Sequence, residues 1–325
     1  MVFSKNFDLI NDENFDHHAL EVFRFQAKNN VLYKKYLNLL HIEISAIKEL
    51  EQIPFLPIQF FKTHKILSTI NKVQKMFLSS GTTGMSQSKH YITNIQLYEN
   101  SYLKGFQRFY GNIEDYIILA LLPNYLERKG SSLVYMVNDL IQKSNSIESG
   151  FYLNNLENLS NKLTDLDIKN KKILLIGVSF ALLDLIEFKK FNLKNTIVME
   201  TGGMKGKRKE LVKEELHQML CKGFGVKKIH SEYGMTELLS QGYSKGDGIF
   251  KTPPWMKILI RDTEDALTIL PQSRTGGINV IDLANINSCS FIATQDLGKI
   301  HPDGTFEILG RFDNSDIRGC NLMVM

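Results

Sequence analysis

The middle of this chain alternates short apolar runs with longer amphipathic stretches, and this alternation constrains the fold more than any other feature. Strands are predicted at 73–78, 116–122, 172–177, 196–200 and 228–231. Helices are predicted from about 94 onward and at 131–143, 180–191 and 207–222. Strands that are separated by helices of this length are typical of parallel βαβ units, so we predict an α/β core at 73–248.

The two ends of the chain differ from this middle. Residues 12–50 contain no Gly or Pro and are rich in Leu, Phe, Lys and Glu, so we predict a mainly helical segment over 1–72. Near the other end, short strands are predicted at 278–283, 290–293, 298–301 and 305–309. The sequence His-Pro-Asp-Gly at 301–304 favours a turn between the last two. We therefore expect a smaller antiparallel β subdomain and a hinge tail at 249–325.

Charge and cysteine content exclude several classes of protein. The net charge is only +4 and the lysines are dispersed among acids, which gives little support to a nucleic-acid partner. The three cysteines, Cys221, Cys289 and Cys320, show no CxxC spacing and indicate a reducing compartment. The start of the chain is too polar for a signal peptide, and the longest apolar run, 117–122, is far shorter than the ~20 residues that span a bilayer. We expect a cytoplasmic protein without stable membrane insertion.

A loop rich in Ser, Thr and Gly follows the first predicted strand. It consists of Ser79, Ser80, Gly81, Thr82, Thr83 and Gly84. Its glycines allow a close approach of the backbone to a ligand, and its hydroxyl and N–H groups are suited to phosphate oxygens. No Gly-Lys-Ser/Thr closes it, so it is not a Walker phosphate loop. A polar turn without a ligand is the alternative interpretation.

Three later segments follow this loop along the chain. They are Ser-Glu-Tyr-Gly-Met-Thr-Glu at 231–237, Ala-Thr-Gln-Asp-Leu-Gly at 293–298 and Gly-Arg-Phe-Asp at 310–313. Together with the loop they resemble the core motifs of the acyl-adenylate-forming (ANL) superfamily, which includes acyl-CoA synthetases, firefly luciferase and the adenylation domains of peptide synthetases. Segments 54–62, 122–133 and 318–321 look most like the acyl-protein synthetases of the bacterial luminescence fatty-acid reductase system.

The resemblance implies an ANL-type fold and an ATP-dependent reaction. The fold would have a large N-terminal α/β domain with a nucleotide-binding core at 73–248. The usual C-terminal lid domain, which carries a catalytic lysine, would be lacking. ATP, Mg²⁺ and a carboxylic acid, by resemblance a fatty acid, are the implied cofactors and substrate.

The resemblance also implies roles for individual residues. The loop at 79–84 would hold the ATP phosphates, Thr236 would contact the α-phosphate, and Glu237 would help to hold Mg²⁺, a cation that prefers oxygen ligands. Tyr233 would lie beside the adenine, although a core tyrosine is the alternative, and Gly234 favours a tight turn. Lys89 is a possible phosphate contact, but four residues separate it from the last glycine of the loop.

Further roles fall on the later motifs and on a glycine pair. Asp296 would accept hydrogen bonds from the ribose, although a single Asp in a loop is usually a turn former. Arg311, near the hinge, would also reach the nucleotide. Gly202 and Gly203 follow the strand 196–200 and would line the adenine and acyl pocket, with a simple turn as the alternative.

Cys320 is the residue to which the resemblance gives a covalent role. In the luminescence enzymes a cysteine near the C-terminus carries the acyl group as a thioester. Arg318 nearby would favour the thiolate. The alternative is an unreactive cysteine, which is the commoner case for a single Cys.

Three functions compete at this point. The first is an acyl-protein synthetase that passes the acyl group from acyl-AMP to Cys320 and then to a partner such as a reductase. The second is a CoA ligase of the phenylacetate-CoA ligase kind. The third is a non-enzymatic scaffold that binds a nucleotide or an acyl group.

Overall fold

The computed structural model describes residues 9–80, 87–122, 130–153, 155–202 and 211–312 of the chain. The helices within these ranges are α1 (Phe15–Asn29), α2 (Val31–Leu39), α3 (Phe60–Thr63), α4 (Ile95–Tyr110), α5 (Ser132–Lys143), α6 (Leu156–Ile168), α7 (Ser179–Phe188) and α8 (Lys213–Phe224). The strands are β1 (Leu56–Pro57), β2 (Lys75–Leu78), β3 (Lys89–Ile92), β4 (Ile117–Leu121), β5 (Gly150–Tyr152), β6 (Ile173–Gly177), β7 (Thr196–Glu200), β8 (His230–Tyr233), β9 (Gly242–Ser244), β10 (Ile249–Lys251), β11 (Met256–Arg261), β12 (Thr275–Asp282), β13 (Phe291–Ile300) and β14 (Phe306–Arg311).

Twelve of these strands form one mixed sheet. Its order is β11-β12-β13-β14-β10-β9-β8-β7-β6-β4-β5, and β1 adds in parallel beside β13. The strands β5, β4, β6, β7 and β8 pair in parallel. All of β6 is buried, as expected when helices cover both faces of a parallel sheet. The predicted α/β class is confirmed.

The antiparallel strands continue the same sheet from β9 onward. The strands predicted separately at 290–293 and 298–301 are one ten-residue strand, β13, so that division was wrong. A register shift at Leu297 and Gly298 interrupts the pairing with β14 without ending the strand. The predicted turn at 301–304 is confirmed by a bond from the Gly304 N–H to the His301 carbonyl. The division at residues 72 and 248 stays a prediction.

The predicted strand at 73–78 is present but has a different partner. As β2 it pairs antiparallel with β3 in a separate two-stranded sheet, rather than entering the parallel sheet. The short β3 had escaped prediction because only four residues, Lys89–Ile92, form it. The predicted phosphate loop therefore connects the two strands of a hairpin.

Helix starts were predicted unevenly. The helices predicted from about 94 and from 131 begin at Ile95 and Ser132, where the side chains of Asn94 and Ser131 cap them. The helix predicted at 207–222 begins at Lys213 within the described residues. The pair β5 and α6 was missed, because β5 has only three residues.

The N-terminal helices pack on the antiparallel part of the sheet. The Gln26 amide donates to the carbonyls of Asn285 and Ile286, at 3.1 and 2.9 Å. The Asn30 amide donates to the Ser288 carbonyl at 3.0 Å, while its oxygen caps α2. Through these contacts α1 and α2 fix the turn that precedes β13.

No helix in the described part of the chain is long and apolar enough to cross a membrane.

Candidate active site

The turn after β8 favours a glycine. Tyr233 ends β8, and a Cβ on residue 234 would collide with the carboxylate of Glu232. Gly234 therefore lets the chain turn closely over its own preceding side chain. The turn brings Thr236 and Glu237 to the carboxyl edge of the parallel strands, which is where open α/β sheets bind ligands.

Tyr233, Asp296 and Arg311 meet in one group, which we call the Asp296 cluster. The Tyr233 hydroxyl donates to Asp296 Oδ2 at 2.8 Å, and Arg311 Nε lies 3.0 Å from Asp296 Oδ1. Asp296 and Arg311 face each other across β13 and β14. Asp296 is 7% exposed, whereas the Arg311 side chain is 73% exposed, so the cluster reaches the surface through the arginine.

A half-buried arginine that the sequence motifs did not indicate, Arg261, supports this cluster. Arg261 Nη1 donates to the Ile278 carbonyl and to Asn279 Oδ1, both at 2.9 Å. Its Nη2 donates to the Thr294 carbonyl at 2.6 Å. The Thr294 hydroxyl accepts a hydrogen bond from the Asp296 N–H at 3.1 Å. Arg261 therefore fixes the main chain from which the Asp296 carboxylate projects.

Glu237 lies in a different setting, the Glu237 cluster, which we define as Ser88, His90, Thr236, Glu237 and Asn285. Glu237 is only 5% exposed, and burial raises the pKa of its carboxyl. A hydrogen bond from Ser88 opposes this shift in pKa, and the charges of Arg311 and Lys62 oppose it further. A buried carboxylate of this kind is stabilised by a nearby cation.

His90 and Asn285 hold the two main-chain carbonyls that flank the Cα of Glu237, those of Thr236 and of Glu237 itself. His90 Nδ1 lies 2.8 Å from the Thr236 carbonyl oxygen, and Nε2 lies 3.1 Å from Asn285 Oδ1. The Asn285 amide donates to the Glu237 carbonyl at 2.8 Å. His90 and Asn285 are 0% and 1% exposed, and burial lowers the pKa of His90 to about 4.

Asp282 anchors the segment that follows Glu237. It is fully buried, and its Oδ2 accepts from the N–H groups of Leu239 and Ser240 at 2.7 and 3.0 Å. Its Oδ1 accepts from the Ser240 hydroxyl at 2.6 Å and from the Ala284 N–H at 3.1 Å. Three of these four hydrogen bonds come from Leu239 and Ser240, so one carboxylate restrains this segment.

A second buried acid lies at the end of β7, beside Gly202. Glu200 Oε2 accepts from the Gly202 N–H at 2.6 Å and from the Ser179 hydroxyl at 3.2 Å. Lys213 Nζ and His217 Nε2 lie 3.2 and 3.5 Å from Oε1. Burial alone would raise the pKa of Glu200, but Lys213 and His217 hold it well below its usual range. Gly202 has φ +73°, so this turn also favours glycine.

Glu232 lies on the opposite face of β8 from Tyr233. Burial, and then the neighbouring Glu200 charge, raise the pKa of Glu232 to about 8, so this carboxyl is largely protonated near neutral pH. His230 shares its face, and its Nδ1 lies 3.2 Å from the Tyr110 hydroxyl. This face of β8 is therefore polar but largely uncharged where it meets α4.

The base of the predicted phosphate loop lies next to the Glu237 cluster. The Ser88 N–H donates to Ser79 Oγ at 2.9 Å, and the Ser79 N–H donates to the Ser88 carbonyl at 3.1 Å. Because Ser88 also bonds to Glu237, the two ends of the loop start beside that carboxylate. Ser80 is exposed, and Lys89 is exposed on the strand face opposite His90.

Six of the predicted site residues lie outside the described part of the chain, so their roles stay predictions. They are Gly81, Thr82, Thr83, Gly84, Gly203 and Cys320.

Several polar residues around the site were not found from the sequence. They are His90, Glu200, Arg261, Asp282 and Asn285. A signal existed only for Glu200, an acid that ends a mostly apolar strand two residues before a glycine pair. The others lie on elements remote in sequence, and only folding brings them to the motifs.

The donor set fits ATP and a magnesium ion. Asp296 keeps lone pairs on both oxygens beyond its bonds to Tyr233 and Arg311, which suits a diol. Glu237 is a buried carboxylate at the start of a hydroxyl-rich loop, and Mg²⁺ is usually held by one or two carboxylates together with substrate phosphates.

Solved structures with a similar fold include three enzymes. An ATP-bound MatB from Rhodopseudomonas palustris is 19% identical over 75% of this chain and 49% of its own, with a TM-score of 0.55. A 2-hydroxyisobutyryl-CoA ligase in complex with 2-HIB-AMP and CoA is 12% identical, with a TM-score of 0.66 over 93% of this chain and 70% of its own. A luciferase-like enzyme from the nonluminescent mealworm Zophobas morio is 15% identical over 84% of this chain and 61% of its own, with a TM-score of 0.50.

These similarities concern the fold, because identity is low. The chain spans about half the length of the MatB structures that it matches. No curated protein matches the sequence. The family described as "Acyl-protein synthetase, LuxE" matches residues 2–325, which is nearly the whole chain. The chain therefore belongs to the LuxE acyl-protein synthetase family and has the fold of the acyl-adenylate-forming enzymes.

Proposed function

We propose that this protein activates a carboxylic acid with ATP to an acyl-adenylate and transfers the acyl group to a thiol. The observation that carries this proposal is that the Ser/Thr/Gly loop starts at the Glu237 cluster, and that Arg311 of the Asp296 cluster acts on the Glu237 carboxylate through its charge. Three motifs from separate parts of the sequence supply groups suited to the ribose, the metal and the phosphates. Membership of the LuxE family supports the same reaction.

In the first half-reaction, an oxygen of the substrate carboxylate attacks the α-phosphorus. The bond from that phosphorus to the pyrophosphate oxygen breaks, and pyrophosphate leaves with the electron pair. Asp296 would orient the ribose, and Thr236 would contact the α-phosphate. Glu237 would hold Mg²⁺, which neutralises charge on the phosphates. Positioning and charge neutralisation supply most of the catalysis in such a displacement.

In the second half-reaction, we propose that the Cys320 thiolate attacks the acyl carbonyl, so that the C–O bond to AMP breaks and AMP leaves. The acyl group would then pass to a partner protein, such as a reductase. Support for Cys320 comes from the family resemblance. The other thiols are poor nucleophiles: burial raises the pKa of Cys289 to about 12, and burial also raises that of Cys221.

The acid is proposed to be a fatty acid, on resemblance alone, and the compartment to be the cytoplasm. A second candidate function is a CoA ligase. It is favoured by the similarity to the 2-hydroxyisobutyryl-CoA ligase fold, which extends over 93% of this chain. In that case CoA, rather than Cys320, would be the acyl acceptor.

The intact mass of the protein after incubation with ATP, Mg²⁺ and a panel of fatty and aryl acids tests the proposal. We expect a hydroxylamine-sensitive acyl adduct that is absent in Cys320→Ser and retained in the control Cys221→Ser. Pyrophosphate release that depends on CoA, without an adduct, would make the protein a CoA ligase. The absence of acid-dependent pyrophosphate exchange would reject adenylation and favour a non-enzymatic scaffold.

A further inference from the structure

The contacts of His90 leave its hydrogen-bond network one donor short. Its two ring nitrogens face two oxygens, the Thr236 carbonyl and Asn285 Oδ1. Asn285 Oδ1 points to His90 because the amide nitrogen of Asn285 donates to the Glu237 carbonyl. A neutral imidazole carries a single N–H, so it can donate to only one of its two partners.

Turning the Asn285 amide over does not remove the shortage. The amide nitrogen would then donate to His90 Nε2, but Oδ1 would face the Glu237 carbonyl, and two acceptors would meet there. In either orientation the network is one donor short. The 2.8 Å contact between His90 Nδ1 and the Thr236 carbonyl is the shorter contact of His90, so we place the N–H there.

This placement gives the two carbonyls different restraints. The carbonyl of Thr236 is held by His90 directly. The carbonyl of Glu237 is held only while the Asn285 amide faces it, and His90 Nε2 competes for that amide. Glu237, the proposed metal ligand, is therefore the residue whose main-chain carbonyl can lose its hydrogen-bond partner, the Asn285 amide.

Both residues are themselves fixed by distant parts of the fold. The buried ring of Phe61, on α3, packs edge-on against His90 with centroids 5.5 Å apart. The Asn285 carbonyl accepts a hydrogen bond from Gln26 on α1. The N-terminal helices thus reach the Thr236–Glu237 peptide through these two side chains.

We propose that His90 and Asn285 are positioning residues for adenylation, which set the main chain of Thr236 and Glu237 so that the Glu237 carboxylate meets the metal and the phosphates. This inference rests on the proposed function for the identity of the ligand. Neither side chain needs to touch the substrate. Substitution of a residue that hydrogen-bonds to a metal ligand and orients it commonly lowers activity or metal affinity about 10- to 100-fold.

The choice of variants follows from the geometry. In His90→Asn the side-chain amide nitrogen can take the place of Nδ1 and keep the bond to the Thr236 carbonyl. His90→Leu removes both contacts, and Asn285→Leu removes the bond to the Glu237 carbonyl. Asn195→Leu is the control, because Asn195 is a partly buried asparagine whose amide donates to the Asp167 carbonyl at 3.1 Å, at the start of β7 and away from the site.

The first measurement is ATP–pyrophosphate exchange as a function of the Mg²⁺ concentration. The second is ATP binding by calorimetry, once with Mg²⁺ and once with EDTA. Both are made well below the melting temperature of the least stable variant. We expect His90→Leu and Asn285→Leu to lower kcat about 10- to 100-fold and to raise the Mg²⁺ concentration for half-maximal rate. His90→Asn should recover most of the loss. Metal-free ATP binding and the KM for the acid should change little.

Two outcomes would overturn the inference. One is equal losses in Asn195→Leu and Asn285→Leu, which would indicate general destabilisation. The other is an unchanged Mg²⁺ dependence in His90→Leu and Asn285→Leu. If the wild type shows no exchange, adenylation fails as the function, but the calorimetric difference between Mg²⁺ and EDTA still decides whether His90 positions a metal ligand.

Discussion

The Asp296 cluster and the Glu237 cluster contain one carboxylate each, and the fold treats the two carboxylates differently. Asp296 already has an arginine at 3.0 Å and a hydroxyl donor at 2.8 Å. Glu237 is buried, which raises the pKa of its carboxyl, and a Ser88 hydroxyl opposes that shift only in part. The first carboxylate has an arginine in contact with it, whereas the charges of Arg311 and Lys62 do not bring the pKa of the second back to its usual value, which suits a carboxylate that receives a cation with the ligand. A nucleotide site needs both, because the ribose is neutral and the metal is charged.

The largest expected effect comes from removing the charge of Glu237. Glu237→Gln should lower ATP–pyrophosphate exchange roughly 100- to 1,000-fold, the size seen when one group of a preorganised electrostatic site is lost. The melting temperature should stay the same or rise, because burial disfavours the charged form of Glu237 and a neutral isostere does not carry that penalty. A marked loss of both stability and activity would show that Glu237 is structural.

Removing the charge of Asp296, in the Asp296 cluster, should affect the binding of ATP more than the catalytic rate. In Asp296→Asn the Tyr233 hydroxyl keeps an acceptor, but the ribose loses a charged one. We expect the KM for ATP to rise about tenfold, equivalent to about 1.4 kcal/mol, with a smaller change in kcat. Steady-state kinetics at saturating acid measures this. An equal fall in kcat for Asp296→Asn and Glu237→Gln would break the contrast between the clusters.

Acid should lower the free energy of unfolding in part through the Glu237 cluster, because this cluster contains the buried His90. The pKa of His90 is lowered from 6.5 to about 4, so the unfolded chain takes up this proton first as the pH falls. Its contribution to stability is therefore complete above about pH 6.5 and is lost between 6.5 and about 4.

Urea unfolding at several pH values measures this loss. His90→Asn should lose less of its free energy of unfolding than the wild type between neutral pH and pH 4. Part of the slope should remain, because the pKa of His230 is also lowered to about 4, by burial and by nearby lysines. An identical slope in wild type and His90→Asn would place the acid sensitivity elsewhere.

The smallest effect is expected for stability at the surface of the Asp296 cluster. Arg311 is 73% exposed, so Arg311→Met should change the free energy of unfolding by less than about 1 kcal/mol while it weakens ATP binding. Arg261→Met is the contrasting control, because it removes three hydrogen bonds from a half-buried guanidinium. Urea unfolding of both variants should give a clearly larger loss for Arg261→Met.

The local pattern of the sequence determined much of the fold. Apolar runs predicted the parallel strands β4, β6, β7 and β8 but not β5, with β7 matched at both ends, and the starts of α4 and α5 were predicted to within one residue. The pairing of β2 with β3, and the continuity of the antiparallel strands with the parallel sheet, did not follow from the sequence. Such pairings depend on which unsatisfied backbone edges meet, and a local pattern contains no information about that.

The candidate site divides in the same way. The motifs, through their resemblance to those of the acyl-adenylate-forming superfamily, indicated Tyr233, Gly234, Thr236, Glu237, Asp296 and Arg311 as candidates, because a motif is a local pattern that can be recognised from the sequence. Only the tertiary structure decided that Asp296 lies between Tyr233 and Arg311, and that His90 and Asn285 hold the peptide beside Glu237. The physical reason is that a buried polar group must find partners wherever the fold supplies them, and those partners come from strands and loops far apart along the chain.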